Sequence, residues 1–159
     1  MAAQKRAVRV GVAAIIPDAQ GRVLTGRRKG STGSGRWAFP GGHQEFGESY
    51  FQCAEREVLE ETGLDVRALT TVALTNDVFQ DEGLHYVTIH VKCKKLNPDQ
   101  EPKVLEPNKC EGWQWTTWAE LREILGKPDG HNQLFLPIVN LLLENSDIER
   151  TIDSGQSLQ

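Results

Sequence analysis

The stretch Gly41–Leu64, GGHQEFGESYFQCAEREVLEETGL, places six glutamates in twenty-four positions, four of them between Glu55 and Glu61. Like charges one turn apart on a helix repel by about 0.2–0.5 kcal/mol per pair. A helix is nonetheless what the stretch predicts. Ser49 with Gln52 makes a capping-box pattern and Gly63 stands where a C-terminal glycine stop belongs, so the helix runs from about Ser49 to Thr62. At 100° per residue, Glu57, Glu60 and Glu61 fall within one arc of about 100°. Phe51, Ala54 and Val58 form a separate apolar stripe that faces a core. Glu57 and Glu61, one turn apart, can converge on a point; Arg56 can hold Glu60, and Glu48 can fold back from the preceding loop. Oxygen ligands gathered from a helix and a loop suit a hard divalent cation, Mg²⁺ or Mn²⁺, which also binds phosphate oxygens. The cation's charge would relieve the repulsion. A solvated acidic face is the alternative, but such a face usually interleaves lysine, and here only Arg56 interrupts the run.

Around this helix the chain reads as one α/β domain. Its 159 residues suffice for a single sizeable core, and a net charge of −4 argues against a nucleic-acid polymer as the main partner. Cys53, Cys93 and Cys110 are odd in number and lack CxxC spacing, which fits a reducing, cytoplasmic setting better than disulfides or zinc. The N-terminal apolar run is too short to span a bilayer and stops at Pro17, so it reads as a first strand, with no membrane role. VRVGVAAII and GRVLTGRR are strands joined by the turn PDAQG, and a glycine- and serine-rich loop leads to AFPGG. VRALTTVALTNDVF, HYVTIHVKCKKL and EGWQWTTW are further strands, followed by a short helix around AELREIL. NQLFLPIVNLLLE is a last helix in which Pro137 must occupy the first turn or make a kink. Residues 1–147 are assigned to the domain and 148–159 to a polar, frayed tail. Strands and helices in this order suggest a mixed sheet with helices packed on it.

The spacing from Gly42 is more specific: Gly42, five residues, Glu48, seven residues, Arg56-Glu57, two residues, Glu60-Glu61, one residue, Gly63-Leu64. Seven fixed identities arise by chance with odds on the order of 10⁻⁸ or less per start. This resembles the complete Nudix box. The resemblance implies an α/β/α sandwich whose strand–loop–helix–loop holds divalent metal on a diphosphate. It implies metal ligation by Glu57 and Glu61 with Glu60 contributing, bracing by Arg56 and Glu48, and close backbone approach at Gly42. Flanking stretches, GRRKGSTGSGRWAFPGGHQEFGES, HYVTIHVK and EPKVLEPNKCEGWQWTTW, are similar to small cytosolic MutT-like hydrolases of animals and plants. Those relatives hydrolyse (deoxy)nucleoside triphosphates, oxidised or thio-substituted purines included, to monophosphate and pyrophosphate. Homodimers occur among them, so a homodimer is expected.

By the same resemblance Arg28 contacts substrate phosphate, and Gly41 and His43 of the double-glycine turn touch phosphate or sugar. A solvated basic turn and a neutral loop histidine are the alternatives. Thr88 lies on a strand whose alternation can point it into a nucleotide pocket, and Phe135 can stack on a base. Glu111 can add a metal oxygen. Leu136 stands where relatives carry tryptophan, which alters the wall around the base. Trp37, Trp113, Trp115 and Trp118 read as packing. Other substrates within the resemblance are ADP-ribose, coenzyme A and prenyl diphosphates. The first is disfavoured because no proline lies between Asp65 and Lys95. The second is only partly supported, since Gly35–Gly42 fits its pattern but Ser31 replaces an arginine. A non-catalytic binding module would commonly lose box glutamates, and none is lost.

Overall fold

A computed structural model describes residues 6–30 and 32–154. Ser31 and the last five residues of the expected tail lie outside the described residues. The elements in chain order are β1 (Val8–Ile15), β2 (Val23–Arg28), β3 (Trp37–Ala38), β4 (Gly41–His43), α1 (Tyr50–Thr62), β5 (Val66–Phe79), β6 (Leu84–Lys95) and β7 (Cys110–Thr116). Four helices follow: α2 (Trp118–Leu125), α3 (Gly130–Gln133), α4 (Leu136–Glu144) and α5 (Ile148–Ser154). One sheet is mixed, in the order β4-β1-β6-β5; β1 and β6 run parallel from Val8 opposite His85 to Ile15 opposite Lys92, and the other pairs are antiparallel. The second sheet, β3-β2-β7, is antiparallel.

Strand alternation on β1 explains the layering. Val12, Ala14 and Ile16 point to one face and pack with Cys53, Ala54 and Val58 of α1. Ala13 and Ile15 point to the other and join Trp118, Leu121, Ile138 and Leu141 from α2 and α4. Two cores therefore flank the mixed sheet, which is the expected α/β/α arrangement. The apolar stripe of α1 is Cys53, Ala54 and Val58, with Phe51 only partly buried at its edge. Both halves of the Ser49–Gln52 capping box form, and Gly63 adopts a left-handed φ of 74°. Pro137 sits in the first turn of α4 rather than kinking it, and the residues before it form the separate short α3.

The frayed tail expected beyond residue 147 is corrected by the fold. Residues 148–154 form α5, which buries Ile148 and Ile152 in the core shared with α2 and α4. Their i,i+4 spacing gives one apolar ridge in an otherwise polar segment. Arg122 of α2 clamps Glu149 through two bonds of 2.7 and 3.0 Å, and Lys92 donates to the Ile152 carbonyl. Ile152→Ala should accordingly destabilise the protein by about 2–5 kcal/mol, read from the urea midpoint. An unchanged midpoint would mean that α5 is not part of the folded unit. Among the described residues no helix is long and apolar enough to cross a membrane.

Candidate active site

The box is assembled where α1 crosses the double glycine of β4. Neither glycine has room for a side chain. A Cβ at Gly41 would lie 2.0 Å from the Val12 carbonyl oxygen, and one at Gly42 would lie 2.4 Å from the Glu57 carboxylate. Glu57 thus rests against bare backbone, and the Gly41 N–H donates to Glu61 Oε2 at 3.4 Å. Burial first, and then the neighbouring Glu57 charge, raise the Glu61 pKa well above the carboxylate range. Glu57 and Glu61 both line a cavity of about 880 Å³.

Arg56 organises the rest of the acidic cluster. Its Nε and Nη2 donate to Glu48 at 3.0 and 2.7 Å, its Nη1 to Glu57 at 2.9 Å and to Glu60 at 3.3 Å, and Nη2 also reaches the His43 carbonyl at 3.1 Å. The guanidinium holds the Glu48 pKa down to about 2, and the Arg56 pKa is raised in return. Glu60 keeps its side chain 53% exposed on the Arg56 flank and is not among the cavity-lining residues. The fold therefore brings Glu57 and Glu61 to one cavity, while Glu48 and Glu60 are joined to Glu57 through Arg56 and do not line it.

Arg28 lines the same cavity. Its Nε donates to the Thr32 carbonyl at 2.9 Å and its guanidinium lies 4.0 Å from the centre of the Phe135 ring. Among the described residues it makes no ion pair with a carboxylate. Burial lowers its pKa. Gly33, at φ 69°, is required there, because a Cβ would meet the Phe135 ring at 2.6 Å. His43, Thr88 and Phe135 also line the cavity, with His43 Nε2 2.9 Å from the Tyr86 hydroxyl. Phe135 has Arg28 over its ring and Phe79 at 5.4 Å. Leu136 packs on the core beneath α4; Pro137 and Ile138 line the cavity instead. Glu111 pairs with Arg27 at 3.6 Å and does not line the cavity, so it is not brought to the carboxylate pair.

Several lining residues escaped the sequence reading. Trp113 packs against the core on the α1 side, as expected, but it also lines the cavity, and its buried indole N–H has no partner among the described residues. Glu106 and Lys109, 3.0 Å apart, sit on the rim from the loop before β7. Glu45 and Tyr86 line the cavity as well. A charged loop far from the box in sequence carries no period that would place it; only the β2–β7 pairing does.

The donor set fits a divalent cation. Two carboxylates from successive helical turns face one cavity, and burial with the neighbouring Glu57 disfavours the charged form of Glu61. No group of three or more potential ligands is gathered among the described residues. Divalent cations of the Mg²⁺ type commonly use one or two carboxylates and complete their shell with water and phosphate oxygens.

The chain is similar to proteins whose functions are named. It is 49% identical over 49 residues to the oxidized purine nucleoside triphosphate hydrolase of Danio rerio, covering 31% of each chain. It is 29% identical over 150 residues to the NAD-capped RNA hydrolase ndx-9 of Caenorhabditis elegans, covering 94% of this chain and 36% of that one. It thus spans about a third of the length of both relatives. The crystal structure of a MutT NUDIX hydrolase from Burkholderia pseudomallei superposes with a TM-score of 0.65 at 28% identity, over 74% of this chain and 86% of that one. The NUDIX domain matches residues 7–136, which contain the whole box and both sheets, and the chain belongs to the Nudix family.

Proposed function

We propose that this chain is a metal-dependent hydrolase of (deoxy)nucleoside triphosphates, purines and their oxidised or thio-substituted forms included, releasing monophosphate and pyrophosphate. The observation that carries this reading is that one cavity is lined both by the carboxylate pair and by the half-buried guanidinium of Arg28, which makes no ion pair with a carboxylate among the described residues. A half-buried guanidinium on a cavity wall is complementary to phosphate oxygens. A triphosphate places phosphate at both positions, and the wall around Thr88 is left for the base. The similarity to an oxidized purine nucleoside triphosphate hydrolase supports the same substrate class.

Glu57 and Glu61 would hold Mg²⁺ or Mn²⁺, with the Gly42 backbone against Glu57. A metal bound there supplies Lewis acidity toward phosphate oxygens and acidifies water. The chain's own residues do the rest. Arg28 binds and orients the phosphate tail. A carboxylate of the box takes the proton of the attacking water; Glu57 and Glu60 are the two candidates, of which Glu57 lines the cavity and Glu60 does not. Glu48 and Arg56 keep Glu57 in place, and Gly41 and His43 close the turn over the phosphates. No side-chain nucleophile is needed, because water attacks the phosphoanhydride directly.

The test is hydrolysis of deoxyguanosine triphosphate in oxygen-18 water, with the products weighed. Monophosphate and pyrophosphate as sole products are expected. Release of orthophosphate overturns the reading, as does faster turnover of ADP-ribose, coenzyme A, geranyl diphosphate or triphosphate-ended RNA.

A further inference from the structure

Behind the base end of the cavity lies a chain of buried polar side chains that phosphate chemistry does not use. Asp77 of β5 is fully buried and makes no ion pair among the described residues. Its Oδ2 accepts the Thr88 hydroxyl at 2.5 Å and the Thr75 hydroxyl at 2.9 Å, and its Oδ1 accepts Asn140 Nδ2 of α4 at 2.8 Å. Three neutral donors satisfy the carboxylate in place of a cation.

Their directions are fixed by proton counting. Both threonine hydroxyls donate to Asp77, and a threonine hydroxyl has one proton to give. Thr75 gives its proton to Asp77, so the 3.0 Å bond between its oxygen and His90 Nε2 is donated by the histidine. His90 is fully buried, and burial lowers its pKa to about 3, so the ring is neutral with its proton on Nε2. The bare Nδ1 that this leaves is consistent with its lack of any partner among the described residues. Thr88 likewise has its proton committed to Asp77. What its oxygen can present to the cavity is a lone pair. Gly11 stands opposite Thr88 on β1, and a Cβ there would come within 3.8 Å of Thr88 Oγ1. Glycine leaves that approach open.

We infer that Asp77 is a positioning residue that locks the Thr88 hydroxyl as an acceptor, so that the site selects bases presenting an N–H to it. Guanine and related lactam or amino purines present such hydrogens; unsubstituted purine presents only ring-nitrogen lone pairs on its six-membered ring. The inference rests on the triphosphate reading above and adds the polarity of the base contact to it.

The experiment compares kcat/KM for deoxyguanosine triphosphate and for the triphosphate of unsubstituted purine deoxyriboside, in the wild type and in two variants. Metal-free calorimetry of the two monophosphates measures the same preference without turnover. The wild type should favour guanine by about tenfold or more, since a site built for a hydrogen bond discriminates against a ligand lacking it. Thr88→Val removes the hydroxyl and should bring the ratio to near one. Asp77→Asn keeps the shape: its oxygen can stay on Asn140 while its amide hydrogens turn to both threonines. Thr88 then accepts from Asn and its proton is freed toward the cavity, while His90 shifts its proton to Nδ1 and accepts from Thr75. The ratio should fall below one, with the change carried in KM and in the monophosphate Kd. A merely structural role for Asp77 would weaken both nucleotides alike. If Asp77→Asn does not fold, Thr88→Val decides: an unchanged ratio overturns the inference. Equal ratios in all three proteins, with triphosphates still hydrolysed, overturn it and leave the proposed function standing. Failure of the wild type to turn over any triphosphate, while hydrolysing another diphosphate, overturns both.

Discussion

Glu61→Gln should lower kcat by about 10²–10³ at saturating Mg²⁺ while leaving the fold intact. The amide is nearly isosteric with the carboxylate but is a weaker ligand for a hard cation. Without metal the variant should be as stable as the wild type where Glu61 keeps its proton, and more stable above the raised pKa, where two acidic charges would stand side by side. The pH dependence makes this sharper. Burial and Glu57 raise the Glu61 pKa above its ordinary 4.5, so above that pH the unfolded chain has lost a proton that the native state still holds. The metal-free wild type should therefore lose stability as pH rises from 4.5 through the raised value. The variant should lack that decline. Mg²⁺ should raise the wild-type Tm, since it binds the folded state, and raise that of the variant less. Wild-type kcat in the variant, or an identical Mg²⁺-induced Tm shift, would remove Glu61 from the ligand set.

Much of this site could be read from residues because its determinants are local. The capping box, the glycine stop and the 100° helical step fixed α1 and the neighbourhood of Glu57 and Glu61 without knowledge of any distant contact. Glu60 shows the limit of that argument. It shares the arc, but Arg56 one turn earlier captures it and turns it from the cavity. Asp77 shows a deeper limit. On β5 it reads as a polar residue in a half-exposed strand. Its meaning depends on the β5–β6 register that sets it beside Tyr86 and within reach of Thr88, and on α4 supplying Asn140 from sixty-three residues away. The tail failed for a similar reason. Polar composition argued for fraying, whereas two isoleucines one turn apart were enough once α2 and α4 offered a surface.

Arg56→Ala should be the more damaging change to the folded protein. It leaves Glu48, Glu57 and Glu60 without their common donor and removes the bond to the His43 carbonyl that ties α1 to the end of β4. Hydrogen bonds to charged groups contribute more than neutral ones, but the guanidinium is 25% exposed and solvent screens what it holds. The expected loss is therefore about 2–3 kcal/mol at neutral pH, well short of the full penalty for breaking a buried pair. Activity should fall as well, because Glu57 loses the group that orients it. Glu48→Gln should have a smaller effect, since the other bonds of Arg56 survive. The pH profile separates the ion-pair contribution from simple loss of packing. Arg56 holds the Glu48 pKa near 2 against an ordinary 4.5, so its stabilisation is fully present above 4.5 and disappears as pH falls through about 2. The stability gap between wild type and Arg56→Ala should accordingly narrow across that window in urea titrations. A gap of constant size from neutral pH down to pH 2 would assign the loss to the arginine's aliphatic stem, and the acidic cluster would then owe its arrangement to the backbone of α1 and β4 alone.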